Sequence, residues 1–98
     1  MAHKVVHVIR ESHIRSGGYA VPALPKVPNN RVGQVREGHY EALYQCAGPR
    51  ATEFGTTNFW WVKINLGQDT GWISAINIGE GGDDEPIPDV PTQPTVFE

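Results

Sequence analysis

The sequence has little of what announces an enzyme, a metal site or a membrane span. Its single cysteine, Cys46, cannot form an internal disulfide, so the fold neither demands nor excludes an oxidising compartment. The four histidines stand apart from Cys, Asp and Glu at any recognisable ligand spacing. His3 and His7 are four apart on an expected strand, a separation of about 13 Å that is too long for one ion. No metal and no cofactor are expected. No glycine-rich phosphate loop ending in Gly-Lys-Ser or Gly-Lys-Thr occurs, no amphipathic pattern reaches three helical turns, and the first ten residues lack the apolar stretch of a secretory leader. No window approaches the length of a membrane span. Catalysis needs a nucleophile or acid/base pair held together in a cleft, and nothing in the chain announces one. Cys46 sits in an expected strand, where a lone cysteine ordinarily serves as a small buried hydrophobe. The chain is read as not an enzyme.

Positive charge is also scarce, and it is unevenly placed. All 8 Lys and Arg lie within residues 1–79 beside 5 acids, whereas residues 80–98 hold 6 acids and no base. The body is mildly basic and the tail strongly acidic. The basic excess is too small and scattered to suggest nucleic acid as a partner. The asymmetry points instead to a tail that is solvated or that lies on its own body or on a neighbour's.

What is present is turn chemistry and tryptophan. The 98 residues allow one domain, and Gly 11 and Pro 8 beside β-branched and aromatic runs predict short strands joined by many turns. All three tryptophans fall within Phe59–Ile73. Phe59-Trp60-Trp61-Val62-Lys63-Ile64-Asn65 reads as a strand returning through Asp69-Thr70-Gly71-Trp72-Ile73, so the core is expected there. Alternation puts Trp60, Val62 and Ile64 on the core face and Phe59, Trp61 and Lys63 on the face left for solvent. Trp61 is thereby the first residue expected to touch a ligand.

Upstream, Val5–Ile9 reads as a first strand, and Ser12–Tyr19 as the start of a long loop turning at Gly17-Gly18. Pro22, Pro25 and Pro28 exclude a central strand there and give two Pro-x-x-Pro spacings suited to an aromatic groove. Arg31–Arg36 and His39–Cys46 read as a hairpin across Glu37-Gly38, with a bulge reconciling Leu43 with the opposite face of Tyr40, Ala42 and Tyr44. Ala47–Asn58 reads as a polar loop of the kind that carries contacts. Ser74–Ile78 reads as a short helical turn and a last strand. From residue 80 the chain is expected to run as an extended acidic, proline-rich tail.

Strands in these positions, a proline-bearing loop after the first, and the Trp61-Val62-Lys63-Ile64 strand followed by Thr70-Gly71-Trp72-Ile73 resemble the bacterial SH3 domains over roughly residues 5–78. His13-Ile14-Arg15-Ser16-Gly17-Gly18 stands where that family has an Asn-Val-Arg-Ser-Gly-Pro-like motif, with Gly18 in place of the proline, and Val32–Gly38 matches the family's Gly-containing segment. The loops to Arg31 and from Ala47 are longer than the family's. The resemblance implies an all-β, small SH3-like barrel of five to six short antiparallel strands over 1–79, followed by the tail of 80–98.

It also implies a non-catalytic binding module for cell-wall peptidoglycan, its stem peptide or another peptide, in an extracytoplasmic setting. Trp61, Tyr19 and Tyr44 would then stack on sugar or peptide, Arg15 would pair a carboxylate, and Trp72 is a further contact or a core residue. The second reading, from another class, is a structural subunit of a homo-oligomeric, virion or envelope assembly. In it Pro22 and Pro25 of the proline loop, or Pro88, Pro91, Val96 and Phe97 of the tail, dock on a neighbouring copy.

Overall fold

The computed structural model describes residues 3–15 and 31–93. Six strands form one antiparallel sheet: β1 (Lys4–Val8), β2 (Ser12–Arg15), β3 (Arg31–Val35), β4 (Gly38–Glu53), β5 (Thr56–Asn65) and β6 (Thr70–Ser74). A 3-10 helix, Ala75–Asn77, follows, and the strands lie in the order β1-β4-β5-β6-β2-β3. The fold is the all-β one expected, a curled half-barrel.

The curl comes from a corner. β1 runs antiparallel to β4 from Lys4↔Ala42 to Val8↔Gly38, and β2 runs antiparallel to β3 from Ser12↔Val35 to Ile14↔Gly33. These are two stretches of one ladder, offset by a single residue, in which both chains bend together at residues 9–11 and 36–37. Strands that change direction side by side carry one sheet around onto itself. The chain beyond the 3-10 helix completes the curl, because Ile9 N donates to Asn77 O at 2.9 Å and Gly79 N to His7 O at 2.9 Å, bridging Val8 to Ile78.

Three expectations change here. Arg31–Arg36 and His39–Cys46 do not form a hairpin with each other, since β3 pairs with β2 and β4 with β1. Ser12–Arg15 is a strand rather than the start of a loop. It is short and polar, and its partner lies across a long excursion, so local pattern does not mark it. Ala47–Asn58 is the far arm of the β4–β5 hairpin, with register shifts at Ala42/Tyr44 and Ala47/Ala51. The first shift is the bulge expected around Leu43. The second takes up Gly48-Pro49, whose proline has no N–H for a ladder. Phe54 (φ 56) and Gly55 (φ 75) make a two-residue turn with both central residues left-handed, the kind that matches strand twist.

One face of the curled sheet carries the main core: Val6, Val8, Ile14, Val35, Ala42, Val62, Ile64 and Ile73, with Ala75 and Ile78 after the last strand. The alternation expected along β5 holds on this side, with Val62 and Ile64 fully buried and Trp60 packed against them. At Gly71 a Cβ would lie 2.2 Å from Ile14 Cγ2, so the Ile14 side chain occupies the space that glycine leaves.

The acidic segment does not run free from residue 80. Ile87 and Val90 enter the main core, and residues 80–93 lie on the body as a strap. Gln45, at 1% exposure, seats it. Its Nε2 donates to Ile87 O and Val90 O, both at 2.9 Å, and its Oε1 accepts from Ile87 N at 2.8 Å. Its backbone N donates to Pro91 O at 2.8 Å and its carbonyl accepts from Gln93 N at 2.7 Å, so the strap continues the sheet beside β4 where β1 has ended. Asn58 repeats the arrangement, donating to Gly82 O and Glu85 O at 3.1 Å each. Lys4 pairs with Glu80 at 2.9 Å and Arg50 with Asp84. A segment without a core of its own gains order here by lending two apolar residues to another core and its carbonyls to two buried amides.

Two stability outcomes follow. Gln45→Leu keeps the volume but strands three buried strap groups. It is expected to cost about 3 kcal/mol in urea unfolding and to speed amide exchange at Ile87. Gly71→Ala is expected to cost about 1–3 kcal/mol by overpacking, and less than additively when combined with Ile14→Ala in a double-mutant cycle.

Candidate functional site

The opposite face of the sheet is not left to solvent. Register partners across four strands put Tyr44, Lys63, Trp72 and Arg15 in one row, with Cys46, Trp61 and Ser74 in the row beside it. Cys46, Trp61 and Trp72 form a second apolar cluster, flanked by Tyr44 and Ala51. The Tyr44 ring meets Trp72 edge-on at 5.6 Å, and Lys63 Nζ lies 5.3 Å from the Trp72 ring centroid. Aromatic and cation alternate along the row, and the Lys63 charge lies over the Trp72 π face.

This places the expected ligand residues. Trp61 lies on the face that alternation assigns it, but it is 4% exposed rather than open to solvent, a correction to the expectation. Periodicity fixes the face of a strand residue. Whether that face is covered depends on its neighbours, here Cys46 and Ser74 in register and Ala51 packed against the cluster. Trp72 is at 0% and Arg15 at 7%, so Trp72 is core and Arg15 shows little of itself; Tyr44 is half-buried. The structure thus brings Arg15, Tyr44, Trp61 and Trp72 into one patch. Pro88 and Pro91 are exposed on the strap, which is seated on the chain's own body. Tyr19, Pro22, Pro25, Val96 and Phe97 lie outside the described residues.

At one end of this face a cleft of about 260 Å³ opens between β2, the far arm of β4, and the 3-10 helix. Arg15 and Trp61 line it, together with residues that sequence reading did not single out: Ser12, His13, Arg50, Thr52, Glu53, Ser74, Ile76 and Asn77. The barrel corner brings β2 to β6, and the long hairpin arm supplies the facing wall. The stretch 47–58 was expected to carry contacts, and it does supply that wall, as strand rather than loop.

The back wall is held by side-chain bonds. Ser74 Oγ caps the 3-10 helix, accepting from Ile76 N at 3.3 Å. Asn77 Nδ2 donates to Ser12 Oγ at 2.8 Å, and Ser12 Oγ donates to His13 O at 3.1 Å. Arg10 Nη1 donates to Ile76 O at 2.7 Å and to Asn77 Oδ1 at 3.2 Å. The Arg10 guanidinium also lies over the Phe54 ring at 4.4 Å. The facing wall is tied to the strap, where the bond to Asp84 raises the Arg50 pKa above its ordinary value. Asp83 Oδ1 accepts from Thr56 Oγ1 at 2.6 Å and Thr57 N at 3.3 Å, and these bonds, the hydroxyl's first, lower its pKa from the ordinary 3.8.

Among the described residues no group of three or more His, Cys, Asp and Glu is placed to hold a metal ion, and no helix is long and apolar enough to cross a membrane. The cleft offers hydroxyl, amide, imidazole, guanidinium and carboxylate groups beside the Trp61 indole, a set suited to hydrogen bonding and ion pairing. No protein-family model, curated protein or solved structure matches the chain.

The bonds to Asp83 make strap docking pH-dependent. A carboxyl with a lowered folded pKa stabilises the fold above its ordinary 3.8, and that contribution fades as pH falls through the folded value. Asp83→Asn is therefore expected to lower the melting temperature at neutral pH. The difference from the native protein should close below pH 3.8 in thermal scans across pH.

Proposed function

We propose that this protein is a non-catalytic recognition module with a bacterial SH3-like barrel, and that its cleft takes a short segment of peptide, a cell-wall stem peptide first of all. The pairing of Trp61–Ile64 with Gly71–Ser74 as adjacent strands supports the resemblance, since those stretches carry its most specific motif. The observation that carries the binding reading is the cleft itself. It is lined by Trp61 among mostly polar side chains and framed by bonds that fix its back wall. Its volume lies just below the range of about 300–1,000 Å³ usual for small-molecule pockets, which suits one or two residues of a chain. Exposed aromatics play a smaller part than the sequence suggested, because Trp61 is 4% exposed and Trp72 not at all.

The subunit reading draws less support. The strap through Gln93 is bonded to its own body, so Pro88 and Pro91 are held in place without a neighbour. A module of this kind would act outside the cytoplasm, on the wall, as the resemblance implies.

Thr52→Trp fills the cleft from an exposed position whose side chain, among the described residues, bonds only Thr57 at 2.9 Å. The variant should keep the native melting temperature and lose retention on purified cell wall and on stem peptide by about tenfold or more. Light scattering should find both proteins monomeric. Undiminished binding by the variant, or an oligomer that dissociates when residues 83–98 are removed, would replace this reading with the subunit one.

A further inference from the structure

We infer that Arg10, which is bonded to the back wall of this cleft and packed on Phe54, is a preformed receptor for a single carboxylate of the bound peptide; the inference rests on the cleft reading above. Arg10 lies outside the cleft lining, against the back wall on one side and Phe54 on the other. Its Nη1 is anchored to Ile76 O and Asn77 Oδ1, both from residues of the back wall. Its plane lies over Phe54, which follows Glu53 of the facing wall. A guanidinium has five N–H donors in a fixed fork, and the protein bonds engage Nη1 alone. Among the described residues, Nε and Nη2 meet no hydrogen-bonding partner.

A long flexible side chain is ordinarily costly to immobilise on a ligand. Here three contacts on two sides already hold it, and a planar fork so held matches a carboxylate bidentately.

Phe54 supports the same conclusion from the backbone. It is 67% exposed and stands at φ 56, a conformation that a bulky side chain rarely adopts and that glycine or asparagine would take with less strain. Strain of this kind is held where the residue has another use. An exposed ring stacked on an arginine beside a cleft gives a ligand an apolar contact and desolvates the ion pair it forms. Glu53 lines the same cleft and is exposed. Its negative charge disfavours a dianion, which selects a carboxylate over a phosphate.

The test is a titration of the 15N-labelled full chain, following Arg10 Nε–H and the Trp61 indole. The probes are diacetyl-Lys-D-Ala-D-Ala as the free acid, the same peptide as its amide, a blocked peptide whose one carboxylate is a glutamate side chain, and inorganic phosphate. The free acid should shift both signals and bind about tenfold or more tightly than the amide. The glutamate peptide distinguishes a chain end from a side chain as the source of the carboxylate, and phosphate should not compete.

Arg10→Lys keeps the charge without the fork and should weaken the free acid about tenfold. Phe54→Gly should melt no lower than the native protein, because it relieves the turn, yet bind more weakly. A merely structural ring would not separate those two readouts. Equal binding of acid and amide, native affinity in both variants, or competition by phosphate would overturn the inference. If Thr52→Trp still abolishes binding of both peptides, the cleft reading survives that result. If no peptide moves any cleft signal, both fall.

Discussion

The structure depends on one ladder that turns a corner. Residues 4–8 pair with 38–42 and residues 12–15 with 31–35, and the single-residue offset between the two halves of their register marks the bend between them. At the bend Ile9 N bonds across to Asn77 O instead. The bend carries β2 to β6, where Arg15 meets Trp72. That pairing sets Ser12 and Arg15 opposite the arm of β4, where both line the cleft. Gly71 belongs to the same arrangement, since Ile14 reaches the main core only through the space a side chain there would fill.

The strap answers a different constraint. A small barrel buries a limited core, and each added apolar residue counts. Ile87 and Val90 add to it, but their turn brings backbone carbonyls and an amide into a place without water. Gln45 and Asn58 meet those groups from inside the sheet, which is why two amides stand at buried positions. Charge assists at the rim through Lys4 with Glu80 and Arg50 with Asp84. The basic body and the acidic stretch 80–93 become two sides of an intramolecular surface.

Much of this was legible in the chain. The tryptophan hairpin, the 3-10 turn after it and the bulge near Leu43 follow from period-two alternation and turn chemistry, which are local. The β1 strand and the all-β class follow for the same reason. Less legible were β2, which is four polar-leaning residues paired with a distant strand, and the far arm of β4–β5, where Gly48-Pro49 mimics a loop. Of the site, Arg15 and Trp61 were marked by motif. Ser12 and Asn77 carried no signal, because their use comes from walls that meet only in three dimensions.

The sequence by itself determined that this is a small all-β protein built around a tryptophan-bearing hairpin, and which face of β5 each side chain from Trp60 to Ile64 occupies, because alternation and turn residues act over a few neighbours. Only the tertiary structure decided which faces are covered, that the acidic segment folds back onto its own body, and that a cleft exists at all. Burial, strap docking and concavity are properties of what lies opposite a residue. For Trp61, Gln45 and Arg10, what lies opposite comes from elsewhere in the chain.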